Sequence, residues 1–258
     1  MIIIFHCKYD VILVELVDIT NIEWEGNWLS NALNDGIDYP MVKIQGGEIE
    51  LRDDRTKRKW KAEIRPFLLA QYPVTAELYY TITKKSPISD DGDHKPVVNI
   101  SWNDAIAFCN LLSQQLGLKE CYSISNDGED MVCDWESNGY RLPSEAEWQY
   151  ACKAGTTGYR YGEIERIAWY NENSEGRTHE VGGKEANAWG LHDMIGNVWE
   201  WCWDLYDEKV YGSYRIFRGG SWAEEERGCG ATCRRRSHPT FSIDDLGFRL
   251  AQSFKSEG

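Results

Sequence analysis

Two cysteines near the C-terminal end of the chain are the residues best suited to chemistry. Cys229 and Cys233 lie among arginines in "RGGSWAEEERGCGATCRRRS", residues 218–237. A nearby positive charge favours the thiolate, which is the nucleophilic and metal-binding form of cysteine. Three interpretations are open: a zinc site, a nucleophile with His238 as its base, or packing. The sequence lacks a second cysteine or histidine pair at zinc-binding spacing, and free cysteines are commonly buried, so packing is favoured.

A second candidate is the acidic residue in "GLHDMIGNVWEWCWD", residues 190–204. In a strand, Glu200 would point away from three alternating tryptophans, Trp199, Trp201 and Trp203. A carboxylate in such an apolar region needs a cation. Arg249 could supply the cation, or a calcium ion could, with Asn197 and nearby main-chain carbonyls as further oxygen ligands. The residues alone favour the salt bridge, because buried carboxylates are usually paired with side chains.

The remaining patterns exclude several function classes. The net charge is −14, which opposes binding to phosphate backbones, so no nucleic acid is expected as a partner. The basic tract Arg234–Arg236 is expected to pair with Glu224–Glu226. The apolar N-terminal stretch contains charged residues and has no signal-peptide pattern, which predicts neither export nor a membrane span. We therefore expect a cytoplasmic protein whose eight cysteines are reduced.

Two helices are predicted by their capping residues. Ser101 and Asp104 begin a helix whose apolar face holds Ile106, Cys109, Leu112 and Leu116. Ser144 and Glu147 form a capping box at the start of the second helix. A shorter helix is expected after Thr75.

Strands surround these helices in the predicted order. The stretches 41–51 and 62–74 are predicted to pair across a charged turn. Beyond residue 155 the chain contains short aromatic segments separated by turn residues, and it closes with strands. The pattern predicts an α+β, loop-rich domain over residues 39–258, with two main helices packed on short antiparallel sheets. Residues 1–38 lack this texture and are predicted to form an appendage of strand plus loop.

Four motifs occur together in chain order: "PVVNISWNDAIAFCN" (96–110), "GYRLPSEAEWQYA" (139–151), "GLHDMIGNVWEW" (190–201) and "FRGGSW" (217–222), followed by "LGFRLA" (246–251). Together they resemble the formylglycine-generating enzyme family, also called the sulfatase-modifying-factor domain. The resemblance implies a C-type-lectin-like fold.

In active members of that family, two cysteines hold the copper ion that supports oxidation of a sulfatase cysteine to formylglycine. The spacing from Ser221 places Glu224 at the first of these positions and Cys229 at the second. One soft sulfur ligand is therefore missing. Cys229 is the catalytic candidate, with copper as cofactor, only if the protein is active.

The resemblance also implies a structural calcium ion. Its expected ligands are the side chains of Asn197 and Glu200 and the main-chain carbonyls of Ile195 and Val198. With the family considered, calcium becomes the favoured partner of Glu200.

The functional prediction is a non-catalytic module that binds a protein or small-molecule ligand through its C-terminal loops. It resembles the variable proteins of diversity-generating retroelements. The predicted binding surface contains Trp222, Glu224, Arg227, Arg234, Arg236, His238 and Phe241. The first alternative is the copper-dependent oxidase. The second is an iron-dependent sulfoxide synthase, which is less favoured because the chain has no segment with two histidines on one helix.

Overall fold

Short strands and helices joined by long loops make up the protein. The computed structural model describes residues 39–53, 56–85, 94–125 and 130–254. The strands are β1 (Met41–Ile44), β2 (Gly47–Arg52), β3 (Lys59–Ile64), β4 (Phe67–Ala70), β5 (Tyr122–Ile124), β6 (Met131–Cys133), β7 (Tyr140–Arg141), β8 (Trp199–Leu205), β9 (Arg215–Arg218), β10 (Arg234–Ser237), β11 (Leu246–Phe248) and β12 (Ala251–Ser253). The helices are α1 (Ala76–Thr83), α2 (Trp102–Gln115), α3 (Glu145–Lys153), α4 (Ile164–Ile167) and α5 (Glu208–Tyr211). The predicted appendage, residues 1–38, lies outside the described residues.

Both main helices begin where their capping residues predict. The Ser101 hydroxyl accepts the Asp104 N–H at 3.1 Å, and the Asp104 carboxylate accepts the Ser101 N–H at 3.2 Å. Ser144 and Glu147 make the same reciprocal pair at the start of α3, at 3.1 and 2.8 Å. Each box satisfies two backbone donors that would otherwise lack partners. Three of the four residues on the predicted apolar face of α2 are buried: Ile106, Cys109 and Leu112.

The sheets differ in one respect from the expected strand pair. The stretch 41–51 contains two strands, β1 and β2, and 62–74 contains the end of β3 followed by β4. β2 pairs with β3 as a hairpin, whereas β1 joins the sheet ordered β1-β4-β12-β7. Gly46 separates β1 from β2, and a Cβ added there would lie 2.7 Å from the Ile64 carbonyl oxygen. This close backbone approach explains the break, which the apolar pattern does not reveal.

The other four-stranded sheet positions the candidate site. Its order is β10-β9-β8-β11, and its pairs are antiparallel except for β11 with β8. Trp199 and Trp201 on β8 belong to the apolar cluster that contains α2. Cys202 belongs to a second cluster, together with Trp148 of α3. The predicted alternation along β8 is confirmed, and it directs Glu200 toward α3.

Candidate functional site

A row of charged side chains crosses the face of this sheet that packs against α3. Glu200, Arg218 and Arg234 stand opposite one another on β8, β9 and β10. Glu145 of α3 accepts hydrogen bonds from Arg218 at 2.9 Å and from Arg234 at 2.7 and 2.9 Å. Arg234 also pairs with Asp53 at 2.9 Å, and only 8% of its side chain is exposed. The Arg234 side chain thus adds little exposed area to the predicted binding surface, because carboxylates on the α3 side of the sheet hold its charge there.

Glu200 is fully buried and its carboxylate has three protein donors. Arg249 donates from Nη2 to Oε1 at 2.7 Å and from Nε to Oε2 at 3.0 Å. The indole N–H of Trp148 donates to Oε2 at 2.7 Å. Arg249 is itself fully buried, and the Glu200 carboxylate raises the pKa of Arg249 against the opposing effect of burial. The alternative drawn from the residues alone, a salt bridge to Arg249, describes these contacts.

The two side chains predicted to bind calcium, Glu200 and Asn197, already have partners within the protein. The guanidinium of Arg249 lies against the Glu200 carboxylate, where it would repel a second cation. The side-chain oxygen of Asn197 accepts the His179 N–H at 3.0 Å, and its amide group donates to the His179 carbonyl. Ile195 and Val198 are buried in the segment that leads into β8. Calcium binding thus stays a prediction, with its two side-chain ligands engaged by protein donors.

The Glu224 carboxylate lies beside Gly228, the residue that precedes Cys229. A Cβ added at Gly228 would lie 2.5 Å from a carboxylate oxygen of Glu224. Cys229 follows Gly228 directly and is fully buried, with its thiol 3.8 Å from the Ser221 carbonyl oxygen. The Glu224 carboxylate forms a salt bridge with Arg235 at 2.8 Å. The two positions inferred from the motif spacing are therefore neighbours, but one presents a carboxylate that is already paired.

The electrostatic environment keeps the two C-terminal cysteines protonated. Burial, reinforced by the Glu224 carboxylate, raises the pKa of the Cys229 thiol to about 12. Burial also raises the pKa of Cys233, against the effect of Arg218 and Arg235. A thiol with such a pKa is neither a ready nucleophile nor a ready metal ligand at neutral pH. Within the described ranges, no group of three or more His, Cys, Asp or Glu residues is arranged to hold a metal ion.

An open cleft of about 580 Å³ lies next to these cysteines. It is lined by Tyr159, Arg160, Glu172, Glu225, Glu226 and Arg227. Arg160 fixes the wall by donating to the Cys229 carbonyl at 2.8 Å and to the Glu226 carboxylate at 2.9 Å. The Arg227 side chain is 88% exposed and pairs with Glu225. The sequence pointed to Arg227 but not to Tyr159 and Arg160, which stand some seventy positions earlier in a loop without a motif.

A second exposed region surrounds the end of β10. Arg236 lies against the rings of Tyr206 and Tyr211 in the connection between β8 and β9, where Tyr211 is the last residue of α5. Tyr214 of the same connection meets the ring of His238 edge to face at 6.1 Å. Sequence reasoning missed the three tyrosines, although "DLYDEKVYGSYR", residues 204–215, repeats an aromatic residue at short intervals. That repetition between two strand-like segments was the available signal.

The remaining predicted surface residues differ in exposure. Trp222 is half-buried, and its carbonyl accepts the Ser174 hydroxyl at 2.9 Å. The ring of His238 lies 2.8 Å from the Thr240 hydroxyl, in a turn that ends with Phe241. The exposed fraction of Phe241 is 38%. Of the predicted surface residues, Arg227 thus lines the cleft, Arg236 and His238 lie in the second region, and the Arg234 side chain is held against α3.

Comparison with known proteins gives a consistent family. A family model described as a sulfatase-modifying factor enzyme 1-like domain matches residues 38–254. The structure of Treponema denticola variable protein 1 superposes with a TM-score of 0.76 at 31% identity, covering 84% of this chain and 96% of that one. This likeness confirms the α+β fold of the C-type-lectin-like, formylglycine-generating-enzyme type.

Two relatives illustrate the range of the family. The chaperone protein LppX of Paenibacillus barcinonensis is 29% identical over 230 residues, which cover 75% of this chain and 82% of LppX. The formylglycine-generating enzyme of Streptomyces coelicolor is 30% identical over 200 residues, covering 65% of this chain and 55% of the enzyme. The chain thus spans about half the length of that enzyme.

No helix among the described residues is long and apolar enough to cross a membrane.

Proposed function

The chain belongs to the family of sulfatase-modifying factor enzyme 1-like domains, and from this premise we propose that it is a non-catalytic binding module. Its C-terminal surface, defined here as Trp222, Glu224, Arg227, Arg236, His238 and Phe241, would recognise a protein or small-molecule ligand. The expectation that nucleic acid is not a partner rests on the net charge of −14.

The observation that carries this proposal is that Glu224 and Cys229 occupy the two positions at which the motif spacing places the copper-binding cysteines of the family. A cuprous ion held by two thiolates requires two soft sulfur ligands. At the first position the chain offers a carboxylate that is bound to Arg235. At the second it offers a buried thiol that stays protonated near neutral pH. The chain therefore retains the scaffold of the family without the ligand pair that copper chemistry requires.

Exposed side chains around this site support a binding role. Arg227 and Phe241 project from loops that the sheet and the Arg160 contacts hold in place. Binding residues are commonly carried on loops that a rigid scaffold positions. The relative described as a chaperone and the relative described as a variable protein are both consistent with a protein partner.

Binding by the C-terminal surface is tested with the full chain and two matched variants. Arg227→Ala with Phe241→Ala removes exposed groups from the surface, while Ile124→Ala removes a 64% exposed residue of the β5–β6 hairpin as the control. A partner is identified with a panel of candidate peptides, glycans and metabolites, and its affinity is measured by calorimetry. We expect the double variant to bind at least about tenfold more weakly and the control to bind like the wild type, since interface energy concentrates in few residues. Equal binding by all three proteins would contradict the proposal.

The copper-dependent oxidase is the alternative, favoured by the single fact that Cys229 occupies the second sulfur position. Anaerobic titration with cuprous ion and incubation with a cysteine-containing sulfatase peptide test it directly. We expect no stoichiometric copper binding and no conversion of the peptide cysteine to formylglycine. Tight copper binding that Cys229→Ser abolishes would instead support the oxidase.

A further inference from the structure

Arg236 differs from Arg218, Arg234 and Arg235 of the same sheet because its side chain has no acidic partner among the described residues. Arg218 and Arg234 pair with Glu145, and Arg235 pairs with Glu224. Within the part of the chain that the structure describes, the side chain of Arg236 forms neither a salt bridge nor a hydrogen bond, and its buried Nε has no acceptor. A guanidinium has five N–H donors, and a buried donor without an acceptor is costly.

The contacts of Arg236 are instead with aromatic rings. Its guanidinium carbon lies 3.8 Å from the ring centre of Tyr211 and 4.6 Å from that of Tyr206. These two rings are inclined at 73° to each other, so they form a corner around the cation. Ring faces stabilise a cation but do not accept the in-plane N–H groups as a carboxylate does. The corner thus holds the charge in place and leaves its hydrogen-bonding capacity unused.

The acidic composition of the chain makes this arrangement informative. With 42 acidic residues against 28 basic ones, a carboxylate partner would be easy to supply by sequence. Most buried polar groups in native proteins have a hydrogen-bond partner. Groups that lack one are found mainly at functional sites. An external carboxylate is the group that matches a guanidinium fork in shape and charge.

The surroundings of Arg236 also indicate what the carboxylate is attached to. Tyr214 is 37% exposed, stacks near Tyr211 at 6.0 Å and contacts the His238 ring. A row of rings thus extends from the guanidinium toward solvent. Such a wall favours a ligand with a flat or apolar body next to its charged group.

We propose that Arg236, with Tyr206, Tyr211 and Tyr214, forms a site for the carboxylate of a ligand whose apolar or ring-shaped body packs against the tyrosines. This inference rests on the proposed binding function and names the chemistry of its ligand. Two sources share that chemistry: the C-terminal carboxylate of a peptide that ends in an apolar residue, and a sugar acid.

The test compares two probes that differ only in charge. N-acetylphenylalanine carries a carboxylate, and N-acetylphenylalaninamide has the same body without it. Binding to the full chain is followed by calorimetry and by the NMR signals of the Arg236 Nη–H groups. We expect the acid to bind at least about tenfold more tightly than the amide, with a downfield shift of those signals, because charge-assisted hydrogen bonds are the stronger ones. Glucuronate is the second arm, and tighter binding of glucuronate would identify a sugar acid as the source.

Variants distinguish binding at Arg236 from a non-specific attraction of the acid to nearby positive charge. Arg236→Gln should weaken binding of the acid about tenfold or more, whereas Arg236→Lys should retain part of it. Arg235→Gln is the matched control, because it removes the same charge from the adjacent residue, which faces the other side of the sheet; affinity should change less than about twofold. The melting temperature of each variant shows whether it is folded.

Three results would overturn the inference: no binding of either acid, equal binding of the acid and the amide, or wild-type affinity in Arg236→Gln. If a partner found in the earlier screen still requires Arg227 and Phe241 but not Arg236, the binding function stands and the carboxylate site does not. If the acid binds through Arg236 but the screen finds no partner for the C-terminal surface, the carboxylate site is supported and the proposed binding function is not.

Discussion

Glu200 and Arg249 form a salt bridge in which both side chains are fully buried, with Oε1 and Nη2 2.7 Å apart. The indole of Trp148 donates to the same carboxylate, and Arg249 also donates to the carbonyls of Ala70 and His192. The pair therefore ties β8 and the chain segment before β12 to α3 and to the end of β4. Breaking one side of such a pair leaves the other charge buried and without its partner.

Replacing Glu200 by glutamine should lower the free energy of unfolding by about 3–5 kcal/mol, the range for one lost partner of a buried ion pair. Urea unfolding followed by tryptophan fluorescence measures this change. Glu136→Gln, which breaks the exposed pair with Arg65, serves as the control and should have an effect of at most about 1 kcal/mol. A similar loss of unfolding free energy in both variants would mean that the buried pair stabilises the protein no more than the exposed one.

Removal of calcium should leave stability unchanged, because the proposed side-chain ligands Glu200 and Asn197 already have protein partners. The measurement compares the melting temperature in excess EGTA with that in excess calcium chloride. A ligand that binds only the folded state at a hundred times its dissociation constant would stabilise the protein by about 2.7 kcal/mol. A melting temperature that rises with calcium would contradict this expectation and support the calcium site that the family resemblance implies.

The partner of Glu200 shows how far sequence reasoning reaches. A carboxylate on an alternating strand of tryptophans had to meet a cation, and Arg249 was one of two alternatives that followed from this requirement. The capping boxes of α2 and α3 were equally predictable, because they involve residues three positions apart. Interactions of this kind can be predicted from residue types and their spacing alone.

Relationships over long sequence distances were not predictable in the same way. Arg234 lies next to Arg235 and Arg236 in the chain, yet its side chain is buried because Asp53, directly after β2, and Glu145 of α3 bind it. Adjacent residues on a strand point to opposite faces, so a basic tract has no single environment. Which face meets carboxylates depends on packing between elements that the tract itself does not encode.

Cys229 should resist alkylation in the folded protein. With a pKa of about 12, only about one thiol in ten thousand is ionised at pH 8, compared with about a quarter for an ordinary cysteine. Iodoacetamide labelling followed by peptide mass spectrometry measures the rate at each cysteine, with protein unfolded in guanidinium chloride as the reference. We expect labelling of Cys229 to be at least about a thousandfold slower in the folded state, since burial adds to the low ionisation.

Rapid labelling of Cys229 in the folded protein would contradict this expectation. It would indicate an accessible thiolate and would favour the oxidase alternative.

Asp204 should make stability depend on pH between about 4 and 6. Burial, together with the nearby Glu145 carboxylate, raises the pKa of Asp204 from its ordinary value to about 6. The folded state therefore binds a proton more tightly than the unfolded state, so this group disfavours folding increasingly as the pH rises from about 4 to 6. Asp204→Asn removes the titration and keeps an oxygen that can accept the Glu145 N–H, which donates to Asp204 at 2.6 Å in the wild type.

Relative to the wild type, the free energy of unfolding of Asp204→Asn should rise by about 2–3 kcal/mol between pH 4 and pH 7.5, at 1.36 kcal/mol for each pKa unit. Urea unfolding of both proteins at several pH values measures this difference, in which the titrations of other groups cancel. A difference that stays constant with pH would show that Asp204 is ionised in the folded state with an ordinary pKa.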